Sequence, residues 1–143
     1  MINKLLPDQI SSMWPVIKFA VEQSLPPVVG ESPDKINRIL SSMLCGELEV
    51  WAAYDQESKK FEAVLVTKLS EDRPSNTKSI LLYCLYGYSF IGEERWNEGY
   101  ETISKYAKSQ GCSRITAYTN VSRLIEIAKA VGGEVYNYIS IPI

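Results

Sequence analysis

No histidine occurs among the 143 residues. Imidazole acid–base catalysis, Ser-His and Cys-His nucleophile pairs and His-ligated metals are therefore excluded. The carboxylates in or near predicted strands are Glu49 and Glu62, each of which also reads as a solvated strand residue. Cys84 sits within an apolar run, with no Lys or Arg nearby in sequence to lower its pKa, and reads as a packing cysteine. Gly92-Glu93-Glu94-Arg95 places two carboxylates in the first turn of a predicted helix, where they favour the helix dipole. Asn120 precedes another predicted helix and is either its N-cap or a ligand contact.

The rest of the composition narrows the class. Fifteen Lys+Arg against 17 Asp+Glu give a net charge of −2, which offers no footprint for a nucleic-acid backbone. Apolar residues at 45% and charged residues at 22% describe a soluble globular chain rather than a disordered one. The length suits one domain, residues 1–143. Cys45, Cys84 and Cys112 are odd in number and widely spaced, as reduced cysteines are, not a disulfide frame or a zinc site. The opening residues show no apolar leader. The longest apolar run, Ile80 to Tyr86, falls far short of the ~20 residues of a spanning helix. The expectation is a cytoplasmic protein with no membrane, nucleic-acid or metal partner.

The elements that must position these residues follow from hydrophobic period. Ile2–Leu6 predicts a short strand, ended by Pro7. Ile10, Met13, Trp14, Ile17, Ala20 and Val21 form an amphipathic stripe; Pro15 lies within it, which allows the helix to start there with Pro in its first turn. Ser32-Pro33-Asp34 starts a second helix, whose face is Ile36, Ile39, Leu40, Met43 and Leu44 and whose stop is Gly46. Leu48–Tyr54, Phe61–Leu69 and Ile80–Tyr86 predict a three-strand meander. The last is apolar on both faces and so should be central. Glu93–Ser109 predicts a helix with Trp96, Tyr100, Ile103 and Ala107 as its buried stripe. Arg114–Tyr118, Val121–Val131 and Val135–Ile141 complete the series as strand, helix and strand. Tyr83, Tyr86, Tyr88, Tyr136 and Tyr138 are expected around the sheet as core and rim packing or as a pocket wall. The order β-α-α-β-β-β-α-β-α-β implies an α/β fold, a mixed sheet with helices on both faces. A one-helix crossover makes Ile80–Tyr86 and Arg114–Tyr118 parallel.

This order resembles the GNAT (N-acetyltransferase) superfamily of acyl-CoA N-acyltransferases. Ile2-Asn3-Lys4-Leu5-Leu6-Pro7-Asp8 is similar to that family's opening strand and first helix. Lys105 through Ile115 is similar to its long helix running into the next strand, and Asn120 through Gly132 to its last helix. The resemblance implies acetyl-CoA or coenzyme A as cofactor and a small-molecule or protein amine as acceptor, with a homodimer as a possible assembly. It places the pantetheine arm against Cys84, Leu85 and Tyr86, the pyrophosphate at Gly92, Glu93, Glu94 and Arg95, and a further contact at Asn120.

The sequence departs from the family at three points. The pyrophosphate loop, Gln/Arg-x-x-Gly-x-Gly/Ala, lets glycine N–H groups approach phosphates at a helix N-terminus. Anchored on Gly92, this chain has Ser89 and Glu94 at the other two positions; counted back from Gly111, it has Ile91, Glu94 and Trp96. The tyrosine acid of many relatives falls on Ala128, beside Ile127, and the base usual on the meander has only Glu49 and Glu62 as candidates. Two functions stay open: an N-acetyltransferase acting on an amine, or an inactive GNAT-fold binding or assembly protein of phage or mobile-element type.

Overall fold

Ten elements appear in a computed structural model that describes residues 1–30 and 32–143. They are β1 (Ile2–Lys4), α1 (Pro7–Ser12), α2 (Trp14–Gln23), α3 (Lys35–Leu44), β2 (Glu49–Asp55), β3 (Lys60–Asp72), β4 (Thr77–Gly87), α4 (Glu93–Ser109), β5 (Arg114–Ala117) and α5 (Ser122–Ala130). The strands form one mixed sheet in the order β1-β2-β3-β4-β5. The β1–β2, β2–β3 and β3–β4 pairs are antiparallel and β4–β5 is parallel. The strand containing Ile80–Tyr86 is thus interior, with the two neighbours its apolar character required.

Alternation along the strands divides the core into two layers. Val50, Ala52, Val64, Val66 and Cys84 face α1–α3, where Ile10, Ile17, Val21, Ile39 and Met43 bury against them. Trp51, Ile80 and Leu82 face α4, against Ile103 and Ala107. Pro7 occupies the first turn of α1, and the Leu6 N–H donates to Gln9 Oε1 at 2.8 Å. At the end of α4, Gly111 takes φ +79°, the left-handed conformation that stops a helix cheaply only at glycine.

Four expectations are corrected. The first amphipathic stripe is two helices: α2 carries Pro15 in its first turn, as the sequence allowed, and what precedes the break at Met13 is a separate helix, α1, because Pro15 lacks the N–H a continuous helix would use. The second helix begins at Lys35, with Asp34 rather than Ser32 before its first turn. Tyr100 is 45% exposed, so the buried stripe of α4 is Ile103 and Ala107, with Trp96 half-buried. Val135–Ile141 forms no strand: no backbone hydrogen bond from residues 134–143 holds it to the described residues.

Candidate functional site

The site begins with a bulge. Val66 pairs with Cys84 and Thr67 with Leu82, so Tyr83 is an extra residue in β4 with no opposite number in β3. A bulge bends its strand and increases the local twist. On the other side of β4, pairing with β5 stops at Leu82↔Ala117, while β4 continues to Gly87. The two parallel strands splay from that point. The β5-facing backbone of Tyr83–Gly87 has no strand partner, an exposed edge able to receive an extended, amide-bearing ligand. The splay opens into a groove of about 1680 Å³ between the sheet, α4, α5 and residues 131–138, with Leu85, Trp96 and Asn120 in its wall.

The N-terminus of α4 forms one rim. Gly92 is the N-cap, in extended conformation and with no side-chain hydrogen bond to the first turn. The free N–H groups there attract anions, but the exposed carboxylates of Glu93 and Glu94 flank them. Arg95 does not offset this charge. Its Nε donates to Glu62 Oε2 at 2.7 Å, its Nη2 to Glu62 Oε1 at 3.2 Å and its Nη1 to Glu98 Oε2 at 2.7 Å. Sequence reading missed a second cation at this rim. Arg123, on the first turn of α5, donates from Nη2 to the Ile91 carbonyl at 2.8 Å. Its guanidinium lies 4.6 Å from the Phe90 ring centroid and 5.9 Å from that of Trp96. Arg123 has no carboxylate within 4 Å among the described residues. The 32 residues separating it from Ile91 leave no local signal of the contact.

The candidate acid–base groups are engaged elsewhere. Glu49 is 5% exposed and lies under α4, where Tyr106 Oη donates to its Oε1 at 2.9 Å. Burial raises the Glu49 pKa, partly offset by that hydrogen bond, and burial together with Glu49 pushes the Tyr106 phenol up to about 12. Glu62 is held by Arg95. Cys84 points to the α1–α3 side, where burial pushes its thiol up to about 11, so it is protonated and inert at neutral pH. Tyr86 packs edge-on against Phe19 and Tyr88, and the Tyr88 hydroxyl donates to the Val16 carbonyl at 2.8 Å. Burial pushes Tyr88 up to about 12.

Of the residues the sequence placed at a cofactor site, Leu85, Arg95 and Asn120 line the groove, while Gly92, Glu93 and Glu94 stand at the exposed start of α4 just before Arg95. Cys84 and Tyr86 contribute backbone to the splay and send their side chains to the other layer. Asn120 does not cap α5: Val121 holds that position, and its N–H donates to Thr119 Oγ1 at 3.0 Å. Nor do the tyrosines form one group. Tyr83, Tyr86 and Tyr88 belong to the α1–α3 layer, whereas Tyr138 meets Tyr118 beyond β5.

The residues present fit one end of an acyl-coenzyme A better than the other. The free β4 edge suits the amides of a pantetheine arm, and the buried Trp96 indole N–H, which has no acceptor, stands in the groove wall. The phosphate end meets Glu93 and Glu94, with Arg123, held by the Ile91 carbonyl, as a cation at the same rim. No helix among the described residues is long and apolar enough to cross a membrane.

No protein-family model matches the chain, and no curated protein matches it by sequence. Solved structures do. A probable acetyltransferase aligns over 100% of this chain and 97% of its own, with TM-score 0.73 and 13% identity. The ribosomal-protein-alanine N-acetyltransferase from Brucella melitensis biovar Abortus 2308 aligns over 100% and 98%, with TM-score 0.68 and 10% identity. AAC(6')-Iy, solved with the bisubstrate analog CoA-S-monomethyl-acetylneamine, aligns over 100% and 96%, with TM-score 0.70 and 12% identity. Helices on both faces, a meander into a bulged central strand, a splayed parallel pair and these superpositions agree: the chain has the GNAT N-acetyltransferase fold.

Proposed function

We propose that the chain is an acyl-CoA-dependent N-acyltransferase that recognises the pantetheine arm of its donor far better than the phosphates. The observation that carries this reading is the unpaired edge of Tyr83–Gly87 beyond the Leu82↔Ala117 pair. When bound, acetyl-CoA supplies an activated acyl thioester. The chain's part is to align that arm along the β4 backbone, with Trp96 Nε1 as a further donor and Arg123 at the rim. With Glu49 buried beneath Tyr106 and Glu62 tied to Arg95, neither meander carboxylate serves as base, and Glu134 in the groove wall accepts from the Tyr136 hydroxyl at 2.6 Å. The amine acceptor therefore has to arrive neutral or lose its proton to water, and catalysis rests on orientation.

A second reading, a cofactor-free binding module, is favoured by Glu93 and Glu94 at the rim and by the sequestered Arg95. One experiment separates the two. Acetyl-CoA at saturating concentration is mixed with the protein and a panel of primary amines, and free thiol is measured. Thiol release that requires both protein and amine supports the acyltransferase. No release with any amine, together with no heat of binding, supports the module.

A further inference from the structure

The groove does not stop at the sheet. Leu25, in the loop after α2, packs with the α1–α3 layer, yet Leu25 and Pro27 line the same groove as Leu85 and Trp96 on the α4 side. A wall shared by both layers means that the splay is open through its depth beside Tyr83–Gly87. A donor lying along the β4 edge from the α4 side leaves the α2 side for the acceptor.

That side is aromatic and carries no free charge. Tyr86 meets Phe19 of α2 at 5.6 Å and Tyr88 at 5.1 Å between ring centroids, with the planes 83° apart in both pairs. Rings set edge to face leave a corner that a third flat ring can fill. Phe19 is 50% exposed, while Ile17, Ala20 and Val21 of the same helix are buried. The Tyr88 hydroxyl is already bonded to the Val16 carbonyl. Glu22, the single carboxylate of α2, faces Lys18 at 3.9 Å. An alkyl ammonium entering here would shed water without gaining a carboxylate, which is costly. The ring faces can attract such a cation, but its nitrogen has no lone pair to attack with. Taking the lysine pKa of about 10.4, only roughly one alkyl amine in two thousand is neutral at pH 7.

We infer, on the acyltransferase reading above, that the acceptor is an arylamine, its ring seated against Phe19 and Tyr86 and its nitrogen at the splay. An arylamine is neutral at pH 7, because its lone pair is delocalised into the ring, so its attack needs no base. The nitrogen lone pair adds to the thioester carbonyl carbon and the C–N bond forms. The C–S bond then breaks with its electron pair going to sulfur, and the proton shed by nitrogen reaches the thiolate through water. The products are an N-aryl amide and a free thiol.

The test adds aniline, benzylamine and hexylamine to the amine panel, with acetyl-CoA as donor and the full chain as catalyst. Amide product is measured between about pH 6 and about pH 9 against protein-free controls. Aniline should be acetylated with a kcat/KM that is flat over this range and, at pH 7, at least about tenfold above that of either alkyl amine. Phe19→Ala should raise the KM for aniline about two- to tenfold, leave the KM for acetyl-CoA and the thermal midpoint unchanged, and be rescued by Phe19→Tyr. Transfer to the alkyl amines with aniline untouched, or an aniline KM that Phe19→Ala does not move, would overturn the inference and leave the acyltransferase standing. No amide from any amine, together with no heat of acetyl-CoA binding, would overturn both.

Discussion

Arg95 closes a bidentate ion pair onto Glu62, with Nε–Oε2 at 2.7 Å and Nη2–Oε1 at 3.2 Å. The pair ties the first turn of α4 to β3 and takes from the rim a cation that the sequence placed at a pyrophosphate. Both side chains are mostly buried, and hydrogen bonds between charged groups in such settings are worth about 1.5–3 kcal/mol. Glu62→Gln should therefore lower stability by an amount of that order while leaving Arg95 free to turn toward an anion. Chemical denaturation and a coenzyme A titration on the same variant check both halves. Unchanged stability with unchanged affinity would remove Arg95 from the account.

Glu93 and Glu94 oppose an anion through exposed charge, which salt screens over about 10 Å at 0.1 M. Glu93→Gln with Glu94→Gly should tighten coenzyme A, most at low ionic strength, and the gain should fade as salt is added. Loss of favourable charge at the helix N-terminus should cost about 0.3–1 kcal/mol per residue. Calorimetry at two ionic strengths measures it, and a salt-independent change would point to loop conformation instead.

Much of this was legible from residue type and spacing. Glu93–Ser109 appeared with its bounds because its apolar period is sustained over four turns and glycine ends it. Ile80–Tyr86 announced an interior strand by being apolar on both faces. What stayed hidden depends on partners distant in sequence. The Tyr83 bulge exists only relative to β3, and Arg95–Glu62 and Tyr106–Glu49 join residues 33 and 57 apart. Val135–Ile141 has the composition of a strand, but a strand needs a neighbour, and composition does not supply one.

Glu49 gives a pH signature. Its folded-state pKa is raised by burial, so the folded chain binds a proton more tightly than the unfolded one. Stability on its account is highest below the ordinary carboxylate pKa of about 4.5 and falls as pH rises through the raised value. Glu49→Gln keeps an acceptor for the Tyr106 hydroxyl and removes the charge. Its advantage over the parent should be absent at low pH and appear as pH rises toward neutral in urea unfolding. An advantage that is flat with pH would show that Glu49 does not titrate between the two states.

The α4 layer yields a packing contrast. Ile103 is fully buried against Trp51 and Ile80, so Ile103→Ala should cost about 2–5 kcal/mol. The Trp96 indole N–H is buried without an acceptor, and an orphan donor of that kind costs about 1–3 kcal/mol. Trp96→Phe should leave stability unchanged or higher. Denaturant midpoints decide: a large loss in Trp96→Phe would mean that the N–H does find a partner in solution.

The central claim is that the splay at Tyr83–Gly87 receives an acyl donor by its arm and not by its phosphates. Calorimetric titration of the unmodified protein with acetyl-CoA and with S-acetylpantetheine, which lacks the phosphates, tests it most directly. The account predicts weak binding of both, with Kd above ~100 μM (about −5.5 kcal/mol) for acetyl-CoA, and affinities within about threefold of each other, a difference below ~0.7 kcal/mol. Low-micromolar acetyl-CoA with no detectable S-acetylpantetheine would contradict it.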